Sequence, residues 1–230
     1  RAAIAVCYGS MFRMLGERTI EANYTRIVEH LTVEILSHSN IANNRYRLLI
    51  SRRMVEIIVH DIIGKRILGE SGQINAAKAL INDVLKNYPQ VLKEKPEPSK
   101  QTLVVALGAL SSLIKTLGSA TNNFADACRD GLLQVLQHPS YTVQVYASAC
   151  LKTFVLACPQ QLLPCLSICM NSLSRELGQL GTGRSSPRRC IGLAHGLAAG
   201  LSASPHRPLY GSVDINSRVL SMSTNLLKSS

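Results

Sequence analysis

The chain has 230 residues, of which 46% are hydrophobic and only 4% aromatic, and it contains no Trp. This composition excludes global disorder and leaves Leu, Ile, Val and Ala to fill the core, which favours packed helices over an aromatic-rich sandwich or barrel. The formal net charge of +11 suggests acidic partners, such as nucleic acid, an anionic membrane or acidic protein segments. The basic residues are scattered, however, so a solvated basic surface is the simpler interpretation.

Apolar residues recur every three or four positions through almost the whole chain, which is typical of α-helices that bury one face. Period-two alternation is not sustained anywhere, so we predict no sheet. The two most loop-like stretches lie near residues 89–100 and 178–187, and helical patterning resumes after each. We therefore predict one continuous array over residues 1–230. The predicted helices, of which 187–201 has the weakest pattern, lie at residues 2–15, 22–37, 45–67, 73–88, 101–117, 124–137, 143–158, 161–177, 187–201 and 214–228.

The residues LQHPS (136–140) explain one break between two predicted helices. Pro139 disfavours helical dihedral angles at His138, which ends the preceding helix. Ser140 is expected to cap the exposed amides of the following helix. These three residues are the predicted repeat turn.

The helix after this turn is expected to pack small residues, Ala147 and Ala149. A lone helical hairpin cannot bury its apolar face, whereas a stack of hairpins can. The pattern therefore indicates an all-α protein, an α-solenoid of HEAT-type antiparallel helical hairpins. We expect its two terminal helices to expose apolar residues, because neither has a polar composition.

Cysteine usage and hydropathy favour a cytosolic protein. Five of the seven cysteines lie in apolar helical runs, where Cys usually behaves as a small hydrophobic residue, so we interpret them as reduced thiols. Cys165 and Cys169 lie one helical turn apart, but no second cluster completes a zinc signature. No apolar run approaches the length of about 20 residues that a membrane span requires.

Catalytic chemistry has little support in the sequence. His138 with Cys150 or Cys158 could form a Cys/His pair, but the cysteines lie in an apolar stripe and His138 lies in a turn. GQLGTG at residues 178–183 lacks both the Gly-Lys-Ser/Thr ending and the preceding strand of a phosphate-binding loop. We therefore predict no catalytic residue, no cofactor-binding residue and no metal site.

The candidates for partner binding are basic residues on the predicted helix 45–67. Arg52 falls on the apolar stripe of that helix, so we expect it to be partly buried and to bond a neighbouring helix carbonyl or a carboxylate. Arg45, Arg53 and Lys65 are expected to face solvent. A nucleic-acid interface would need interleaved aromatic residues or a denser basic stripe, and the sequence has neither. The five candidates are Arg45, Arg52, Arg53, Lys65 and Arg66.

Two tracts resemble one family. SRRMVEIIVHDIIGKRILGESGQINAAKAL (51–80) and LLQVLQHPSYTVQVYASACLKTFVLACPQQLLPCL (132–166) are similar, in order and spacing, to stretches of the very large HEAT-repeat proteins that accompany the clathrin adaptor AP-1. These are the HEAT-repeat-containing protein five group of animals and the large AP-1 accessory protein of yeast. Gln144 departs from the Arg often found at that position in HEAT repeats. The matching elements of the first tract are Ser51-Arg52-Arg53, Leu68-Gly69-Glu70, Gln73-Ile74 and Ala76-Ala77-Lys78.

The resemblance implies an N-terminal segment of a longer solenoid and a non-enzymatic scaffold in vesicle traffic between the trans-Golgi network and endosomes. It implies AP-1 and smaller accessory subunits as partners, with possible self-association. It also implies a cytoplasmic protein, peripheral at the trans-Golgi network, endosomes and clathrin-coated vesicles through those partners. No specific nucleic acid is expected. Two alternatives stay open: a nuclear-transport or nucleic-acid-associated helical-repeat scaffold, and an enzyme whose site lies partly outside this chain.

Overall fold

The computed structural model describes residues 2–89, 96–179 and 186–229. Within these ranges the chain forms helices and no strand, which confirms the all-α prediction. It divides into two compact units, Arg1–Gly131 and Leu132–Ser230, which we describe separately as unit 1 and unit 2. The continuous array stays a prediction.

Unit 1 begins with three helices that follow one another closely. Gly16 separates the first two helices. Its φ angle of 79° is one that glycine adopts readily. Three of the unit's helices continue into π-helical segments, one of 11 residues and two shorter ones. The elements are α1 (Ala2–Leu15), α2 (Glu17–Ala22), α3 (Tyr24–His30) with π-helix Leu31–Leu36, α4 (Ser39–Ala42), α5 (Arg45–Glu56) with π-helix Ile57–Ile67, α6 (Glu70–Ala79) with π-helix Leu80–Val84 and 3₁₀ turn Leu85–Asn87, α7 (Lys100–Leu117), 3₁₀ helix Gly118–Phe124 and α8 (Ala125–Val135), whose last residues belong to unit 2.

Unit 2 contains four further α-helices, with 3₁₀ turns between α9 and α10 and between α11 and α12. The elements are α9 (Tyr141–Ala157), 3₁₀ turn Pro159–Gln161, α10 (Leu162–Gly178), α11 (Pro187–Ala203), 3₁₀ turns Ser204–His206 and Pro208–Tyr210, and α12 (Val213–Ser229).

All ten predicted helices occur, with boundaries that shift by up to three residues. The structure adds α2 and α4, two short helices where we predicted breaks or no separate element. α4 forms because His38 Nδ1 accepts a hydrogen bond from the Asn40 amide (3.4 Å), which caps its first turn. Of the predicted loops, residues 90–95 and 180–185 lie outside the described residues, and so does most of GQLGTG.

The core of unit 1 is built around α7, which is buried on nearly all sides. It packs against α3, α5, α6 and the π-helix Ile57–Ile67. Contrary to our expectation, the segment Lys100–Val135 is long and apolar enough to span a membrane by length and composition, with a mean hydropathy of 1.6. However, 56% of the 18-residue window with this hydropathy is buried within the protein. A core helix passes the same test, so the segment is weak evidence for a membrane span.

The core of unit 2 is built around α11, which packs closely against both α9 and α10. Three glycines, spaced four residues apart, let α11 lie close to Leu136, just after α8, and to Leu166 of α10. A Cβ atom at Gly192 would overlap the carbonyl oxygen of Leu136, and one at Gly196 would lie 2.6 Å from the Leu136 Cδ1. One at Gly200 would lie 2.7 Å from the Leu166 Cδ2. These glycines also weaken the apolar pattern of α11, which explains why its sequence signal is faint.

Candidate partner-binding surfaces

Arg52 is a structural residue of unit 1. It is half-buried, and its Nη2 donates a hydrogen bond to the Gln101 Oε1 of α7 (3.0 Å). Its Nε is buried and has no partner among the described residues. The partner is thus a side-chain amide rather than the backbone carbonyl or carboxylate that we predicted. Arg52 ties α5 to the central helix and offers little to an external ligand.

The other four basic candidates are exposed, and the structure does not gather them into one site. Arg53 pairs with Glu56 (3.4 Å), and Lys65 with Asp61 (2.8 Å). The hydrogen bond from Lys65 lowers the pKa of Asp61 below its usual value. An exposed pair such as Lys65–Asp61 contributes about 1 kcal/mol or less to stability.

Arg45 and Arg66 differ from these paired residues. Both are exposed, and neither makes a side-chain hydrogen bond or ion pair within the described residues. They are the two of the five candidates whose charge is open to an external acidic group.

The predicted repeat turn lies between α8 and α9, but its capping differs from our prediction. Ser140 precedes α9 without a side-chain cap bond. Instead, the His138 Nδ1 accepts from the Ser140 amide (2.9 Å), and the Ser140 carbonyl accepts from the Gln144 amide (3.1 Å). The His138 imidazole therefore holds the turn itself and does not cap the first amides of α9, while Pro139 is exposed at the tip.

Gln144 connects this turn to the neighbouring helix of unit 2, and sequence reasoning missed that role. Its side chain is 1% exposed, and its Nε2 donates to the carbonyls of His138 (2.8 Å) and Arg188 (2.7 Å). The only sign of this role in the sequence was that Gln144 replaces the Arg often found at that position in HEAT repeats. Of the two small residues predicted to pack, Ala147 is buried, but Ala149 is exposed because it lies on the opposite face of α9.

The cysteines and His138 have packing or turn roles. All seven cysteines are free of disulfides, and six are buried. Burial raises the pKa of the Cys158 thiol to about 11 and that of the Cys169 thiol to about 12, which disfavours the reactive thiolate. The described residues contain no group of three His, Cys, Asp or Glu side chains that could hold a metal ion.

The terminal helices expose apolar side chains, as predicted. On α12, the exposed residues Val213, Leu220 and Leu227 recur every seven positions, and Leu220 is 70% exposed. They are distinct from Ile215, which is buried. On α1, the exposed apolar residues are Ile4, Val6, Met11, Met14 and Leu15.

Three of the cavities on the described surface are large enough to consider as binding sites. A polar one of about 420 Å³ is lined partly by Glu29, Asp83 and Glu97, and one of about 480 Å³ lies where α11 leads into α12. The third, of about 340 Å³, is mainly apolar and lies among α1, α2, α3 and the start of the following π-helix. We call this third cavity the α1–α3 groove.

No protein-family model matches the chain, and no solved structure matches it. The family resemblance therefore rests on the two tracts at residues 51–80 and 132–166.

Proposed function

We propose that this chain is a segment of a HEAT-type α-solenoid and that it acts as a non-enzymatic protein-interaction scaffold in AP-1 clathrin-adaptor traffic. It would belong to the large HEAT-repeat accessory proteins and work with their smaller subunits. Its place would be cytoplasmic, peripheral at the trans-Golgi network, endosomes and clathrin-coated vesicles. The observation that carries the proposal is the resemblance of the two tracts, whose matching residues pack helices and form turns.

The first tract illustrates this packing role. Gln73 is 6% exposed, and its Nε2 donates to the carbonyls of Gly64 (2.8 Å) and Leu68 (3.2 Å). The Gly69 amide donates to the Glu17 Oε1 (2.6 Å). These bonds hold the turn between the π-helix Ile57–Ile67 and α6. Residues that build helix junctions leave the outer helix faces available for partners, which is how solenoid proteins bind.

The test of this proposal is a binding measurement with purified components. Purified AP-1 is immobilised, and residues 1–230 are passed over it at about 0.15 M and about 0.5 M salt. A folded protein of equal net charge serves as the control. We expect saturable binding of the chain, well above that of the control, at the lower salt concentration. Binding no stronger than that of the control would contradict the proposal.

The net charge of +11 favours one alternative, a nucleic-acid-associated scaffold. The same chain is therefore titrated with duplex DNA and with single-stranded RNA. We expect weak binding, because Arg53 and Lys65 are paired with carboxylates and a single exposed ring, Tyr46, lies between two basic residues at the start of α5. Tight binding to either nucleic acid, with an affinity that falls steeply and linearly in log salt, would favour the alternative.

A further inference from the structure

We propose that the α1–α3 groove binds a short amphipathic helix of a partner protein, with apolar residues on its buried face and acidic residues beside them. The inference rests on the scaffold function proposed above and names the chemistry of one partner segment. All the residues that line the groove lie in unit 1.

The floor and rim of the groove suit an apolar helix face. Phe12, Ile20 and Leu31 form a floor that is at most 3% exposed, so it is already packed against the core and is preformed. Met11 and Leu15, one helical turn apart on α1, form an apolar rim and are 43% and 48% exposed. An unbranched Met adapts to different side chains, which is why such residues recur in grooves that bind helices. A partner helix would insert residues at positions i, i+3 or i+4 and i+7.

The charge at the groove is positive. Arg26 and His30, one helical turn apart on α3, line it and are exposed. The Arg26 side chain makes no hydrogen bond or ion pair within the described residues, so its guanidinium is open to an incoming carboxylate. No Asp or Glu is among the residues that line the groove.

The nearby acidic residues are directed elsewhere. The Glu17 carboxylate accepts from the Gly69 amide (2.6 Å), and the Glu21 carboxylate accepts from the Asn75 side chain (2.6 Å), so both point towards α6. Glu29, on α3, lines the polar cavity instead. The separation of acidic from basic residues leaves an apolar groove with a cationic edge, whose electrostatic complement is an acidic amphipathic helix.

This shape and charge fit a peptide better than a membrane. Binding to an anionic bilayer relies on several clustered cations and an apolar face that inserts into the lipid surface. Here the apolar surface is concave, with one free Arg and one His at its edge.

The test uses two synthetic fluorescent peptides of about 18 residues, long enough to form a helix. Both carry Leu at positions i, i+3, i+4 and i+7, and they differ only in having Glu or Lys beside that face. Each is titrated into residues 1–230 by fluorescence anisotropy. We expect the Glu peptide to bind about fivefold more tightly than the Lys peptide, because the pair with Arg26 changes from attractive to repulsive.

Charge reversal at the groove provides the decisive comparison. Arg26→Glu should weaken binding of the Glu peptide and make the Lys peptide the preferred ligand. Arg18→Glu is the matched control, since Arg18 is an exposed residue of α2 that does not line the groove. It makes the same change in net charge and should alter either affinity less than about twofold. Met11→Ser should weaken both peptides, because it removes an apolar rim contact.

Three results would overturn the inference. The wild-type chain could bind the two peptides with equal affinity or bind neither. Arg26→Glu and Arg18→Glu could also change the peptide affinities equally. Sedimentation velocity without peptide could also show that Arg26→Glu, but not Arg18→Glu, dissociates a dimer, which would assign the groove to a second copy. Circular dichroism confirms that each variant is folded. Because no AP-1 is present, these results stand apart from the adaptor-binding test.

Discussion

At the residue scale, the side chains that sequence reasoning placed correctly are those whose environment depends on their own helix. Arg52 was expected to be partly buried because it interrupts an apolar stripe, and Arg53 and Lys65 were expected to face solvent. The cap predicted at Ser140 was wrong, because its side chain makes no cap bond; the His138 imidazole instead accepts from the Ser140 amide itself. Gln144 could not be foreseen, since its second acceptor lies 44 residues away in the sequence.

His60 is another residue whose environment comes from tertiary packing. It lies against α7, where a Cβ atom at Gly108 would be 3.0 Å from the His60 Cε1. Its Nε2 is buried and has no partner among the described residues. Burial lowers the pKa of His60 to about 4; Asp61 and the Val105 backbone raise it in part, whereas Lys65 and Arg53 lower it further.

This imidazole predicts a pH-dependent stability. In the unfolded chain the His60 imidazole binds a proton below its pKa of about 6.5. In the folded chain it stays neutral down to about pH 4. The stability contributed by neutral His60 is therefore complete above pH 6.5 and falls by about 1.4 kcal/mol per pH unit between pH 6.5 and about pH 4. Urea unfolding at several pH values, for the wild type and for His60→Gln, measures the effect.

The stability difference between the wild type and His60→Gln should change with this slope below pH 6.5. The exposed His206 provides a control, and His206→Gln should retain the wild-type profile. Equal pH slopes for the wild type and His60→Gln would contradict the assignment.

The cysteines give a second prediction at this scale. Cys7 is exposed and the other six are buried, so iodoacetamide should alkylate only Cys7 in the native protein. Peptide mass spectrometry after brief labelling, with and without denaturant, checks this. Cys7→Ser should abolish native labelling, and rapid native modification of Cys158 or Cys169 would show that their burial is wrong.

At the element scale, helix positions followed from the local apolar period, which is why all ten predicted helices occur. The π-helical continuations after α3, α5 and α6 could not be predicted, because they keep nearly the same apolar pattern as an α-helix. α2 was missed because it has only six residues, too few to show a period. The α1–α3 groove was missed for the same reason, since α2 forms one of its sides.

The glycines of α11 give the prediction at this scale. Gly192→Ala should lower the free energy of unfolding by about 3 kcal/mol or more, because its Cβ would overlap backbone atoms of Leu136. Gly178→Ala is the matched control, since a Cβ there meets nothing within 4 Å. It should be neutral or stabilise by up to about 1 kcal/mol. Thermal and urea unfolding compare the two variants, and equal stabilities would contradict the close packing of α11.

At the scale of the whole molecule, composition predicted the all-α class, because a core without Trp and with few aromatic rings is built most readily from aliphatic helices. The proposed partner surface, the α1–α3 groove, could not be predicted from composition. Of the five basic candidates, only Arg45 and Arg66 keep an open charge, whereas the groove combines residues from three helices. The adaptor role rests on two tracts of packing residues, so it needs a test in the protein's normal surroundings.

That test is a pull-down from cytosol with the longer protein implied by the proposal, with and without residues 1–230, quantified by mass spectrometry. A deletion of equal length elsewhere in the solenoid controls for general damage. The proposal predicts that AP-1 subunits are lost only when residues 1–230 are removed. Undiminished recovery of AP-1 without these residues would contradict it and assign adaptor binding to other repeats.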